Sequence, residues 1–181
     1  MKPLVSLLRA VNVSGQNKIK MADLKKSLEK AGFAQVRTYI QSGNIICRSK
    51  LTTESVSAKI NQCIQQDFAC DVDVFVFTLE QWQTLIKNNR FAKNKGVDLS
   101  KLHVMVLSQT PQASLLEKLA EADIGDDQFV LKDAVMYLYC PNGYGKSKLA
   151  NSLLEKKLKL RGTTRNWKTV NALLDLAQAD H

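Results

Sequence analysis

The sequence predicts an α+β protein made of two ferredoxin-like α/β sandwich halves, βαββαβ and then βαββα, closed by a C-terminal helix. Three observations predict this fold class. Short apolar runs of strand length alternate with segments whose apolar residues recur at helical spacing. Their order is that of the split βαβ motif. A polar stretch, residues 88–100, separates two such series, so we expect domains at 1–88 and 89–181.

The first half contains four predicted strands and two predicted helices. The strands are short runs rich in apolar residues at 3–11, 34–40, 45–48 and 72–77. The helices have apolar stripes for the core: Met21, Leu24, Leu28 and Ala31 in one, and Val56, Ile60, Cys63, Ile64 and Phe68 in the other. Gln41–Asn44 lies between two strands and predicts a hairpin turn.

The second half follows a helix that begins after Thr78, where Gln81 completes a capping box. Thr110 and Pro111 then predict the start of another helix, as N-cap and first-turn proline. The remaining predicted elements are a strand at 102–107, a hairpin around Asp133, a helix with Leu149, Leu153, Leu154 and Leu158 on one face, and a final helix with Trp167, Val170, Leu174 and Ala177.

The net charge of +9 is spread unevenly. Residues 1–50 carry ten Lys and Arg against two acidic residues, and residues 141–170 carry eight against Glu155 alone. The residues between them are acidic on balance. We expect the two basic segments to form one positive face, which attracts phosphate-rich partners. An ordinary solvated surface explains the same charges, so both interpretations stay open.

Several classes of protein are disfavoured. No apolar run is long enough to span a bilayer, and no cleavable leader pattern is present, so we expect a cytoplasmic protein without a membrane partner. The four cysteines form no C-x-x-C pair, and with His103 and His181 alone to join them they predict no metal site or disulfide framework. No cofactor motif is complete, and the sequence leaves open whether the protein is an enzyme.

The densest chemistry lies in the glycine loop at residues 140–149. It follows a predicted strand and precedes a predicted helix, a context that favours phosphate binding. Gly145, Lys146 and Ser147 match the last three positions of the Walker A loop. Cys140 stands where that loop has its first glycine, which disfavours a nucleoside triphosphatase. A plain glycine turn before a solvated helix stays open. The candidate anion ligands here are Tyr144, Lys146, Ser147 and Lys148.

A second candidate region lies at one edge of the first sheet. In the predicted topology the first two strands run parallel, so their C-terminal ends lie at the same edge. The loop 12–20 and the turn 41–44 should therefore be neighbours. The candidate ligand-binding residues here are Arg9, Asn12, Lys18, Tyr39, Gln41, Ser42 and Asn44.

Arg165 and Asn166 complete the candidate set, just before the final helix. For Asn166 an ordinary N-cap is the favoured interpretation. Trp167 heads an apolar stripe and is expected in the core. RNA binding by stacking on the sheet is disfavoured, because the predicted central strands, such as 4–10, lack aromatic residues.

Five segments together resemble one bacterial family. They are residues 7–18, 21–24, 38–44, 143–149 and 164–170, which include the runs Thr-Tyr-Ile-Gln-Ser-Gly-Asn and Gly-Tyr-Gly-Lys-Ser-Lys-Leu. The family is catalogued as domain of unknown function 1697, and the resemblance spans nearly the whole chain. It implies a pair of α+β halves, and it implies no catalytic residue.

The leading hypothesis is a protein that binds a phosphate-bearing small molecule or nucleic acid where the 41–44 turn and the 143–148 loop converge. The alternatives are an enzyme acting on a small phosphorylated or acidic metabolite, and a structural or partner-binding module. A concave pocket favours the enzyme, and a broad apolar patch favours the module.

Overall fold

The structure is a computed structural model that describes residues 1–13, 15 and 17–179. Backbone contacts group the chain into two units. Unit 1 contains Met1–Thr84 and the residues from Ala172 onward, and unit 2 contains Leu85–Asn171. The predicted division into halves at 1–88 and 89–181 stays a prediction.

Unit 1 is a four-stranded antiparallel sheet with two helices. Its elements are β1 (Lys2–Leu8), α1 (Met21–Lys30), β2 (Ala34–Tyr39), β3 (Asn44–Ser49), α2 (Thr53–Phe68) and β4 (Val74–Thr78). The strand order is β2-β3-β1-β4, with Leu7 opposite Asn44 and Leu8 opposite Val74. This order is that of the ferredoxin-like motif, so the predicted topology is confirmed in unit 1.

Unit 2 repeats this arrangement. Its elements are β5 (Leu102–Leu107), α4 (Ala113–Ala120), β6 (Gln128–Lys132), β7 (Val135–Tyr139), α5 (Asn151–Leu158) and β8 (Gly162–Asn166). The strand order β6-β7-β5-β8 is the counterpart of the order in unit 1. Helices α3 (Leu79–Lys87) and α6 (Trp167–Gln178) follow β4 and β8. The predicted fold class is therefore confirmed.

Strand β8 was missing from the prediction, which gave the second half only three strands. The strand consists of Gly162, two threonines, Arg165 and Asn166, so it has no apolar residue to reveal its alternation. It is recognisable by its pairing, because His103 lies opposite Asn166 and Val104 opposite Arg165. Arg165 and Asn166 thus lie in a strand rather than in a loop before α6.

Each sheet packs one face against the two helices of its unit. In unit 1, Leu4, Leu8 and Ile45 of the sheet form one buried cluster with residues of the helices such as Leu24 and Ile60. A second cluster forms the core of unit 2; it contains Met105, Leu107, Met136, Leu138, Leu119 and Leu154. The helical stripes predicted for these cores are largely confirmed. Leu153 is the exception, since it is 42% exposed.

The first strand ends with the same hydrogen bond in both units. Leu8 N–H donates to the carbonyl of Gly43, and Leu107 N–H donates to the carbonyl of Ala134, each at 2.8 Å. The loops that follow differ in length, with residues 9–20 between β1 and α1 but only 108–112 between β5 and α4. The longer loop of unit 1 is not needed to connect these elements, and such elaborated loops commonly carry function.

Two predicted helix starts have different outcomes. The capping box is confirmed, since Thr78 N–H donates to Gln81 Oε1 at 2.9 Å and Gln81 N–H donates to Thr78 Oγ1 at 3.2 Å. The predicted start at Thr110 and Pro111 is wrong, because α4 begins at Ala113 after an extended Gln112. Proline fixes φ at a value that suits an extended lead-in as well as a helix, so its position alone misplaced the start.

Candidate functional site

The side chain of Asn12 joins the long loop of unit 1 to the β2–β3 turn. Its Nδ2 donates to the carbonyls of Ile19 and Gln41, both at 2.8 Å, and its Oδ1 accepts from Ile19 N–H at 2.9 Å. Its backbone N–H donates to the carbonyl of Asn17 at 3.2 Å. We call this set of bonds the Asn12 junction. The prediction that the loop and the turn are neighbours is confirmed.

The backbone around the junction is strained. Ala10, Asn12, Asn17 and Ile40 all have positive φ, at 54°, 56°, 44° and 48°. Asparagine tolerates this region, but for Ala and the β-branched Ile it costs about 1–2 kcal/mol each. The strain at Ala10 also ends β1 at Leu8, three residues earlier than predicted. Such strained residues cluster at ligand-binding sites, so this edge of unit 1 is a candidate ligand-binding site.

Four exposed residues stand next to the junction in sequence. They are Val13, Lys18, Ile40 and Gln41, and we call them the rim. Val13 follows Asn12, Lys18 lies between Asn17 and Ile19, and Ile40 precedes Gln41. The residues that the junction joins are therefore flanked in sequence by one exposed cation, one exposed amide and two exposed aliphatic side chains.

Asn44 and Gly43 form the buried side of the turn. Asn44 is fully buried, and its Nδ2 donates to the carbonyl of Tyr39 at 3.0 Å and to Ser42 Oγ at 2.9 Å. Gly43 is also buried, and it has φ +74°. Asn44 thus shapes the turn from inside. Any contact of Tyr39, Ser42 or Asn44 with a ligand stays a prediction.

Arg9 lies where β1 ends. Its backbone N–H donates to the carbonyl of Asp73 at 3.0 Å, and its guanidinium lies 3.7 Å from the Asp73 carboxylate. The Arg9 side chain is 30% exposed, and an ion pair open to solvent contributes little stability. Arg9 and Asp73 therefore form a partly exposed ion pair at this edge.

The glycine loop of unit 2 already holds carboxylates of the protein itself. Asp127 is buried, and its Oδ2 accepts from the Ser147 hydroxyl at 2.7 Å and from Lys148 N–H at 3.0 Å. Lys148 Nζ donates to Asp123 Oδ2 at 2.6 Å. Of the three candidates Lys146, Ser147 and Lys148, the last two are therefore engaged by internal anions, while Lys146 is exposed.

The predicted junction of this loop with a helix N-terminus is not present. Tyr144–Lys146 forms one turn of 3₁₀ helix, and α5 begins only at Asn151. Phosphate binding at a helix start requires that the loop lead directly into the first turn of the helix. The glycine loop does not, so the backbone N–H groups of the first turn of α5 are not part of it. The glycines allow the tight turn, with Gly143 at φ +94°.

The buried thiols are not activated nucleophiles. Burial raises the pKa of Cys47 to about 12 and raises the pKa values of Cys63 and Cys140 above their ordinary range. Cys140 Sγ lies 3.3 Å from Ser147 Oγ in the interior of unit 2. A neutral, buried thiol packs as a small apolar group.

Tyr144 packs its ring against His103. The two ring centroids are 4.4 Å apart and the rings are nearly parallel, at 19°. Burial lowers the pKa of His103 below its ordinary value of 6.5. Tyr144 thus has a packing role, and its contact with a ligand stays a prediction.

Acidification from about pH 7.5 to about pH 5 is expected to destabilise unit 2 through His103. Because its pKa is lowered in the folded state, the unfolded chain takes up the proton first as the pH falls. The stabilisation is present above pH 6.5, the unfolded value, and is lost from there towards the folded pKa. We expect the urea midpoint to fall less in His103→Phe, which keeps an aromatic ring against Tyr144. Equal falls in both proteins would contradict this assignment.

Arg165 and Asn166 are both used within unit 2. Arg165 is 8% exposed, and its Nη1 donates to Thr163 Oγ1 at 2.7 Å and to the carbonyl of Thr164 at 2.9 Å. Burial lowers the pKa of Arg165 to about 10, so it stays a cation at neutral pH. Asn166 caps α6, with Thr169 N–H donating to its Oδ1 at 2.8 Å. The N-cap interpretation of Asn166 is confirmed.

The candidates thus fall into two groups. Those of the first half surround the Asn12 junction in unit 1: Arg9, Asn12, Lys18, Tyr39, Gln41, Ser42 and Asn44. Those of the second half lie in unit 2: Tyr144, Lys146, Ser147, Lys148, Arg165 and Asn166. The convergence of the two groups stays a prediction. The sequence analysis missed Asn17 and Ile40; an asparagine two residues after a loop glycine was a usable signal for the first, whereas nothing local marked Ile40.

Two cavities of unit 1 lie near the start of β1, at the opposite end of this strand from the junction. One has a volume of about 240 Å³ and is lined by Lys2, Pro3 and Thr78 with its neighbours. The other, of about 330 Å³, is lined by Met1, Lys2 and residues 49–52. Neither is lined by residues of the junction, so neither supports an enzyme pocket there.

The described residues offer neither a metal-binding group nor a membrane-spanning helix. Within residues 1–13, 15 and 17–179, no three His, Cys, Asp or Glu side chains are grouped so that they could hold a metal ion. Over the same residues, no helix combines the length and apolarity needed to cross a bilayer.

Comparison with known proteins gives a family and a fold. A family model described as "Protein of unknown function (DUF1697)" matches residues 1–137. The fold is similar to that of a conserved bacterial protein from Streptococcus pneumoniae, with a TM-score of 0.74 and 20% sequence identity over 98% of this chain and 99% of that chain. No curated protein matches the sequence significantly. The structural likeness supports the fold and carries no activity.

Proposed function

The chain belongs to the DUF1697 family, and from the geometry of the Asn12 junction we propose that it binds a phosphate-bearing small molecule at the rim. One observation carries the proposal: Asn12 bonds the backbone of Ile19 and of Gln41, in two loops with strained backbone, and both Gln41 and Lys18, the residue before Ile19, are exposed. Lysine neutralises phosphate, and an amide donates to its oxygens. The proposed binding residues belong to the candidate group of unit 1.

The charge around the rim favours an anion. Residues 1–50 carry ten basic side chains against Asp23 and Glu29, and Lys20 is exposed close to Lys18. Arg9, at the end of β1, is paired with Asp73 and so adds little net charge. Clustered charge of one sign raises the local concentration of an oppositely charged ligand and speeds its encounter.

The glycine loop of unit 2 is the weaker candidate for a first contact. Its Ser147 hydroxyl and Lys148 N–H are bound to Asp127, and an incoming phosphate has to displace that buried carboxylate. Displacement costs the charge-assisted bonds already made. Lys146, which is exposed, is the residue of this loop that could contact a ligand without such a rearrangement.

Isothermal titration at low ionic strength tests the proposal, with inorganic phosphate, phosphate monoesters, nucleotides and short RNA and DNA as probes. Loss of one charged hydrogen bond is worth about 1.5 kcal/mol, so we expect Lys18→Ala to weaken binding about tenfold. Gln41→Ala should weaken it less. Lys95→Ala, which removes another exposed lysine, is the matched control and should bind as the wild type does.

Two results would overturn the proposal. One is the absence of phosphate binding at low ionic strength, and the other is binding that Lys18→Ala and Gln41→Ala leave unchanged. Nucleic acid is the competing ligand, because α5 exposes Lys156 and Lys157. Oligonucleotide binding that falls steeply with salt and is lost in the double variant Lys156→Ala, Lys157→Ala would assign the function to unit 2 instead.

A further inference from the structure

Ile40 occupies a conformation that its side chain disfavours, and it gains little burial in return. Its φ is 48°, in the left-handed region, where a β-branched residue is an outlier. Its side chain is 51% exposed. Glycine or asparagine would adopt this backbone at lower cost, and asparagine would also suit the exposure. The fold alone therefore does not explain an isoleucine here.

Val13 places a second exposed aliphatic group close by. It is 55% exposed, and it directly follows Asn12, whose Nδ2 bonds the carbonyl of Gln41, the residue after Ile40. The large apolar side chains most exposed in the described chain are Met1, Val13, Ile40, Leu51, Leu99 and Leu153. Two of these six, Val13 and Ile40, are the sequence neighbours of Asn12 and Gln41, which the junction joins, and Lys18 and Gln41 are exposed there too. Single exposed apolar residues need no explanation, but a pair beside a cation fits a ligand with two parts.

Building on the proposed function, we infer that the ligand is a phosphate monoester with an apolar group next to its phosphate. Lys18 and Gln41 hold the phosphate, and Ile40 and Val13 cover the apolar group. Inorganic phosphate and sugar phosphates lack the second part. Two half-exposed aliphatic side chains match the apolar group of a small molecule in size, whereas a stable protein interface buries roughly 800 Å² per partner.

The test compares monoesters that share a phosphate and differ in apolar size: methyl phosphate, butyl phosphate, hexyl phosphate and a nucleoside monophosphate. For the full chain, affinity should rise about fourfold for each methylene that becomes buried, so hexyl phosphate should bind at least tenfold more tightly than methyl phosphate. Tighter binding of hexyl phosphate than of the nucleoside monophosphate supports an aliphatic group next to the phosphate, and the reverse order would contradict it, because a sugar separates the base of a nucleotide from its phosphate.

Ile40→Asn is the decisive variant, because asparagine keeps the left-handed backbone and removes the aliphatic group. We expect it to reduce the gain in affinity from methyl phosphate to hexyl phosphate severalfold and to raise the melting temperature of the protein. Leu99→Asn, at a side chain that is 49% exposed outside the rim, should keep the full gain. A lower melting temperature in Ile40→Asn would contradict the strain argument.

The two proposals fail in different ways. If all monoesters bind equally and Lys18→Ala weakens them all, the proposed function stands and the apolar subsite is wrong. An undiminished gain in Ile40→Asn also overturns the subsite. If no phosphate binds, both proposals are wrong.

Discussion

Gly43→Ala is expected to destabilise unit 1 by about 3 kcal/mol. A Cβ at this position would lie 2.7 Å from Leu8 Cβ, closer than real contacts allow, and both residues are buried. Leu8 belongs to β1 and to the core cluster, so it cannot move without disturbing its neighbours. The left-handed backbone, at φ +74°, adds about 1 kcal/mol of strain for any residue with a Cβ.

Gly32→Ala is the matched control for this prediction. Gly32 also has positive φ, at +91°, but a Cβ there would meet nothing within 4 Å. It should therefore cost only the strain, about 1 kcal/mol. Urea unfolding of both variants separates the clash from the strain, and equal losses would show that Gly43 and Leu8 are not closely packed.

Asp127→Ala is expected to destabilise unit 2 by a similar amount, about 3 kcal/mol. The change removes the acceptor for the Ser147 hydroxyl and for Lys148 N–H. Hydrogen bonds to a charged group contribute about 1.5–3 kcal/mol each, and a buried donor left unpaired carries its full desolvation cost. Ser147 is 9% exposed, so water cannot replace the carboxylate without a rearrangement of the loop.

Asp126→Ala is the control for Asp127→Ala. Asp126 is the exposed neighbour, and its carboxylate accepts one hydrogen bond from Asn142 Nδ2 at 3.0 Å. Its removal should cost less than about 1 kcal/mol, since both groups can turn to water. If the urea midpoints of the two variants agree, Asp127 does not hold the glycine loop in solution.

Most of the topology could be predicted, because nearly every strand and helix leaves a local pattern in the sequence and both units share the same order of elements. The alternation of strand-length runs and amphipathic segments marked the elements of both units, and the order of these elements then placed Asn12 next to Gln41, 29 residues away. Strand β8 was missed for the opposite reason. Its residues are polar, and its place in the sheet depends on pairing with β5, far away in sequence.

The candidate site was only partly predictable. The resemblance of residues 143–149 to a phosphate-binding loop is a local property, whereas Asp127, which fills the loop, lies 20 residues before Ser147 and has no motif to connect them. The conformation of Ile40 was hidden as well, because the turn imposes on it a backbone that its side chain opposes. Tertiary structure overrides local preference at both places, as is common at functional sites.

The location of the bound phosphate is the central claim. Amide chemical shifts of the ¹⁵N-labelled full chain report this location directly. On titration with the tightest-binding monoester, we predict the largest shifts at the amides of Asn12, Lys18, Ile40 and Gln41, and their loss in Lys18→Ala. Largest shifts at residues 143–148, with the amides of the rim unchanged, would contradict the account.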